Sequence, residues 1–161
     1  MVHLPEGRGV FRDLTVMDNL RMAVAFLEDR QARREGVDRA MELFPFLAAR
    51  RRQEAGLLSG GEQQMLSLAR AAATSPKVLI ADEMSLGLAP HMVDLVFDAL
   101  VHAREAGATV IIIEQYIHRA LAYADECIVL EQGTLAWQGP ASATGGELLR
   151  HYLGEARPDV N

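Results

Sequence analysis

The stretch "LLSGGEQQMLSLARAAATSPKVLIADEMSLGLAP", Leu57 to Pro90, decides how the rest of the chain is read. Its first part places Ser59 as a helix N-cap with Glu62 three residues on, the spacing of a capping box. Between them Gly60 and Gly61 let an anion approach the first-turn N–H groups closely. A well-capped helix with a tight Gly-Gly start satisfies the same local physics without any ligand. The second part, "KVLIADE", is an apolar strand closed by Asp82 and Glu83. Two carboxylates there stand at the carboxyl edge of a parallel sheet, where open α/β folds bind ligands. An aspartate in that place can hold the Mg²⁺ of a nucleotide, and a neighbouring glutamate can take a proton from an attacking water. Alone, the acidic strand end is also what an exposed pair of loop carboxylates looks like. The order carries more than either part: a Gly-rich capped helix, a short link through Ser75 and Pro76, then the acidic strand.

Working outward, the periodicity changes on either side of this stretch. Before it, "LTVMDNLRMAVAFL" repeats Leu14, Met17, Leu20, Ala23 and Leu27 at helical spacing, with Thr15 as its N-cap and Asp18 three residues on. Glu28 to Arg39 is dense in charge, and "RAMELFPFLAARRRQEA" reads as a second apolar-faced helix interrupted by Pro45. After it, "HMVDLVFDALVHAREAG" is a helix and "ATVIIIEQ" a strand. A wholly apolar run such as Val110 to Ile113, set between helices, predicts a buried parallel strand. "YIHRALAYAD" is helical, "ECIVLEQGTLAWQG" predicts a hairpin turning at Gln132 and Gly133, and a short helix near Glu147 to Leu153 closes the chain. The fold class is α/β.

Composition agrees with one ordinary domain: 161 residues, 50% hydrophobic and 24% charged, are enough for one core. A net charge of −6 gives no overall field that draws nucleic acid or an anionic membrane, so a nucleic-acid partner is not expected. The single cysteine, Cys127, cannot close an internal disulfide, and no apolar run is long enough to cross a bilayer or act as a secretory signal. These features predict a cytoplasmic chain, and they leave docking onto an integral membrane partner open.

"LSGGEQQMLSLARA" resembles the signature motif and helix of ATP-binding cassette (ABC) ATPases, and "VLIADE" resembles their Walker B strand with its adjacent catalytic glutamate. The resemblance implies a P-loop NTPase-like core with ATP and Mg²⁺ as cofactors. It implies that Ser59, Gly60, Gly61 and Glu62 form a nucleotide-binding end that meets the γ-phosphate held by an opposing subunit. Asp82 would help hold Mg²⁺ and Glu83 would polarise the attacking water. "SLGLAP", Ser85 to Pro90, falls where the family has its D-loop, along the dimer interface. "LPEGRGVFRDLTVMDNL" and "IIIEQYIHRALAYADECIVLEQGTLAWQG" are similar to the ATP-binding subunits of branched-chain amino acid importers, with urea and short-amide relatives much alike. Glu6 then takes the Q-loop position where most ABC ATPases carry glutamine. Gln115 takes the switch position where most carry histidine, and its amide can hydrogen-bond but cannot accept the positive charge that histidine can. Both variants are usual in this subfamily. Met84 departs from the family's proline after the catalytic glutamate and puts the local turn, not the carboxylates, in question.

By the resemblance, residues 1–13 are the Q-loop region, 14–74 a helical subdomain with the signature, and 75–161 the Walker B strand, D-loop, switch loop and carboxyl-terminal hairpin and helix. The implied partners are a second ABC ATPase subunit, integral membrane permeases and, indirectly, a substrate-binding protein, with the chain peripheral on the inner face of the membrane. Arg8 and Phe11 are the candidates for relaying nucleotide state to a permease. One element is missing: the sequence holds no G-x-x-x-x-G-K-[ST] phosphate loop, and its single lysine, Lys77, leads into the acidic strand with no glycine loop ahead of it. The expectation is a carboxyl-terminal part of an ABC ATPase, an incomplete domain that alone binds and hydrolyses ATP poorly. A non-catalytic fragment that lends only its signature face to a partner is the competing reading. A soluble ABC ATPase of DNA repair or translation fits worse, given the acidic balance and the absence of a coiled-coil insertion.

Other residues carry plainer expectations. Met65, Leu66, Leu68 and Ala69 form an apolar stripe that predicts core. The histidines at 3, 91, 102, 118 and 151 show no metal-ligand spacing. Cys127 reads as a small hydrophobe, and Arg50 to Arg52 as a solvated helix end or a contact to a partner.

Overall fold

The computed structural model describes residues 1–5, 9–115 and 117–143. Glu6, Arg8, His151 and the closing helix near Glu147 to Leu153 lie outside the described residues. The chain divides into two units, Met1–Gln115 and Tyr116–Asn161.

In the first unit, strand β1 (Val2–Leu4) leads to helices α1 (Val16–Ala23), α2 (Arg30–Leu43) and α3 (Pro45–Ala49), then α4 (Gly60–Ala73). Strand β2 (Val78–Asp82), helix α5 (Pro90–Glu105) and strand β3 (Thr109–Ile113) complete it. The strands form one parallel sheet in the order β1-β2-β3, with Val2 opposite Leu79 and Leu79 opposite Val110. The helical layer is thus inserted between two strands that are neighbours in the sheet.

Helix α4 is the centre of this unit. Met65, Leu66, Leu68 and Ala69 are buried, as the stripe predicts, and so are the flanking Gln63, Gln64 and Ser67. It packs against α1, α2, α5 and β1. Where α2 crosses it, a Cβ on Gly36 would stand 2.3 Å from the Ala73 carbonyl oxygen, so only glycine allows the approach.

Two helices differ from their sequence reading in informative ways. Helix α1 is capped by Thr15, whose Oγ1 accepts from the Asp18 N–H, but it ends at Ala23, before Leu27. Its buried face is Val16, Asn19, Leu20 and Val24, one residue round from the stripe drawn through Met17 and Ala23, because the fully polar Asn19 is turned inward. Helix α2 begins at Arg30, inside the charged stretch, with Asp29 accepting from the Gln31 and Ala32 N–H groups as N-cap. The pairs Gln31–Glu35 and Arg34–Asp38, four apart, support this exposed turn. Pro45 ends that run and opens α3 as its first residue, where its missing N–H has no helical partner to lose.

Strand β3 corrects the expectation of a fully buried strand. Val2, Leu4, Leu79, Ala81, Val110 and Ile112 all face the core, whereas Ile111 and Ile113 are 45% and 48% exposed. Alternate side chains of a strand point to opposite faces, and among the described residues only the helix-facing side is covered.

In the second unit, helix α6 (Ile117–Tyr123) precedes a hairpin of β4 (Glu126–Glu131) and β5 (Thr134–Pro140). The turn lies at Gln132 and Gly133, both with positive φ (49° and 79°), the pairing that matches strand twist in a two-residue loop. Cys127 lies in β4 opposite Gly139, and partial burial pushes its thiol pKa up. Among the described residues no helix is long and apolar enough to cross a membrane.

Candidate functional site

The amino end of α4 is closed by a reciprocal capping box. The Ser59 N–H donates to Glu62 Oε2 at 2.9 Å, and the Glu62 N–H donates to Ser59 Oγ at 3.4 Å. Arg50, at the end of α3, pairs with Glu62 Oε1. The Ser59 N–H, helped by the Ser59 side chain and by Arg50, holds the Glu62 carboxyl below its ordinary range against a smaller desolvation effect. Both Glu62 oxygens are therefore engaged within the chain, and Arg50 has an intramolecular role instead of a purely solvated one. Gly61 sits under α5: a Cβ there would approach Met92 Cε to 2.9 Å. What this end offers outward is the first-turn N–H groups of Gly60 and Gly61, because the Ser59 hydroxyl already accepts from the Glu62 N–H and supports the Glu62 carboxylate.

The second cluster stands at the carboxyl ends of β2 and β3. Asp82 is the last residue of β2, half-buried, with His3 Nε2 of neighbouring β1 at 3.5 Å from its Oδ2. Glu83 follows with φ 47°, a left-handed backbone that glutamate adopts at a cost, and its N–H donates to the Ile113 carbonyl at 2.9 Å. Gln115 Nε2 donates to Glu83 Oε1 at 3.0 Å, so the residues expected at the catalytic-glutamate and switch positions are in direct contact. Met84, the departure from proline, is buried in the core, with its sulfur accepting from Gln64 Nε2. The turn is thus closed by a packed side chain instead of a proline ring.

Two residues of this site escaped the sequence reading. Glu114 accepts from both the N–H and the Oγ of buried Ser85, at 3.1 and 2.7 Å, and so ties the end of β3 to the start of the "SLGLAP" segment. Its signal was its place beside Gln115 at a strand end. His3, given no site role by its spacing, joins the site because β1 pairs with β2 so that His3 stands opposite Ile80, two positions before Asp82.

Among the described residues no group of three or more His, Cys, Asp or Glu side chains is arranged to hold a metal. A single strand-end carboxylate is what Mg²⁺ needs from a protein when phosphates and waters supply its other ligands, and Asp82 fits that demand. The described residues thus define a parallel α/β domain with a capped, glycine-opened helix and an acidic strand end braced by a neighbouring amide.

The chain belongs to the ABC transporter family, whose model matches residues 1–85. It is 43% identical over 153 residues to the "High-affinity branched-chain amino acid transport ATP-binding protein BraG" of Pseudomonas aeruginosa, a match covering 94% of this chain and 65% of that protein. It is 36% identical over 152 residues to the "Probable branched-chain amino acid transport ATP-binding protein LivF" of Archaeoglobus fulgidus, covering 94% and 62%. The chain thus spans somewhat less than two thirds of the length of these relatives. Among solved structures it is similar in fold to a bacterial ABC transporter cassette described as dimeric, with a TM-score of 0.73 at 21% identity, covering 86% of this chain and 62% of that one.

Proposed function

We propose that this chain belongs to an ATPase subunit of an ABC importer for branched-chain amino acids, coupling ATP hydrolysis to transport. The observation that carries the reading is the 43% identity to BraG over nearly the whole chain. At the site, Glu83 is the proton acceptor for the attacking water, and the Gln115 amide orients its carboxylate from 3.0 Å. Gln115 stays neutral throughout, so it positions charge and does not neutralise it. Asp82 is the protein ligand for Mg²⁺, which when bound neutralises charge on the transferred phosphate. Ser59, Gly60 and Gly61 form the helix end that meets the γ-phosphate of a nucleotide held mainly by a second ATPase subunit, with the first-turn N–H groups of the two glycines turned to it. The Q-loop role of Glu6 belongs to the same reading, as do integral permease partners, a substrate-binding protein and a place on the inner face of the membrane. So does the division at residues 13 and 74.

The 161 residues contain no phosphate loop with its lysine, and we infer that this polypeptide by itself binds Mg·ATP weakly. Titration calorimetry on it is expected to give no Kd tighter than about 1 mM. Co-purification tests the transport reading: the tagged chain, recovered from its own cells, is expected to bring integral membrane polypeptides with it. Recovery with ribosomes or nucleic acid, and no membrane polypeptide, would overturn the reading.

A further inference from the structure

Between β1 and α1 the chain passes through Gly9, Val10 and Phe11, and the signature helix reaches out to hold it. Arg70 lies on α4 about three turns beyond Ser59. Its Nη1 donates to the Gly9 carbonyl, and its guanidinium carbon stands 4.8 Å from the centre of the Phe11 ring. Its Nε is buried without a hydrogen-bond partner among the described residues, and burial lowers its pKa. An unpaired buried donor on a cation is costly, so the contacts made by the rest of the guanidinium have to offset it. From the other side, fully buried Asn19 of α1 accepts from the Phe11 N–H and donates to the Phe11 carbonyl, both at 2.9 Å. A backbone ladder joins Arg12–Met17 to Arg51–Gly56, through pairs such as Gly56 N–H to Arg12 oxygen at 2.8 Å, but it goes no further back than Arg12. For Gly9 to Phe11, Val10 packs against the core, and the side-chain hydrogen bonds among the described residues are those of Arg70 and Asn19.

We propose that Arg70 is a positioning residue that clamps the Gly9–Phe11 loop to the signature helix, so that a displacement of α4 is carried to the half-exposed Phe11. Arginine suits the task because one planar cation can both donate to a carbonyl and lie over a ring. Asn19 fixes the loop to α1, and Arg70 adds the link to α4. The clamp is a property of the chain itself; its use in relaying nucleotide state to a partner rests on the transport reading above.

Amide hydrogen exchange on the full 161-residue chain tests the clamp without any nucleotide. Arg70→Met keeps the length and apolar stem of the side chain and removes the charge. It is expected to speed exchange at the Phe11 and Leu14 amides about tenfold, the loss of a hydrogen bond from a charged group, while Leu66 to Ala69 stay within about twofold. Arg70→Lys, which keeps the charge and a donor but not the planar fork, is expected to return those amides to within about threefold of the wild type. Unchanged exchange at Phe11 and Leu14, or equal acceleration along α4, would overturn the proposal. Should Arg70→Met not fold, Phe11→Leu supplies the second arm: the Arg70 Nε–H resonance is expected to move as the ring current is lost, and an unmoved resonance overturns the stack. Failed co-purification with membrane polypeptides would remove the transport reading and leave all of these outcomes where they stand.

Discussion

The two ends of the candidate site are built in opposite ways. At the start of α4, Ser59 and Glu62 satisfy each other, Arg50 neutralises the remaining carboxylate oxygen, and the backbone takes an ordinary extended cap geometry. At the end of β2, Glu83 is held at φ 47°, and its carboxylate accepts from the Gln115 amide. The first end lowers the energy of the folded chain, as caps do. The second costs backbone energy and is kept in place by its surroundings: the Glu83 N–H bond to Ile113, buried Met84, and Glu114 on Ser85. The well-satisfied cap and the strained backbone therefore stand at two places a strand and a helix apart.

Substitutions can break this contrast. Ser59→Ala removes the acceptor of the Glu62 N–H and half of the capping box, and is expected to cost about 1 kcal/mol of unfolding free energy in a urea titration. A smaller effect concerns pH. The folded-state pKa of Glu62 lies below its ordinary value of 4.5, so its contribution to stability is full above that value and is lost as pH falls through the lowered pKa. The stability gap between wild type and Glu62→Gln is therefore expected to be constant from pH 7 down to about 5 and to close as the solution is acidified further. A gap that widened on acidification would contradict the assigned sign.

The contrast also explains what the sequence made legible. The capping box is local, written in four consecutive residues, and so is the Gln132–Gly133 turn; both stand where their residues predict. The acidic strand end is equally local, and the contact between Glu83 and Gln115 follows once β2 and β3 are paired in parallel. The start of α2 was harder to read because its first turns carry charge with no apolar stripe, and their support comes from the Asp29 cap and pairs four residues apart. Asn19, Arg70 and Glu114 act on partners far away in sequence or on bare backbone groups, and such pairings leave no periodic mark. The outward face of β3 shows the same limit: "TVIII" is apolar at four positions, but only the tertiary packing decides which of them meet a helix.

The measurement that bears most directly on this contrast compares Glu83→Gly with Glu83→Ala by urea unfolding. Both remove the carboxylate and its bond to Gln115, so their difference isolates the backbone. In an ordinary strand or helix the alanine variant is the more stable by roughly 0.5–1 kcal/mol. Here the left-handed conformation predicts the reverse order, with the glycine variant more stable by about 1 kcal/mol. An alanine variant as stable as the glycine variant, or more so, would mean that position 83 carries no strain and that the contrast between the two ends does not hold.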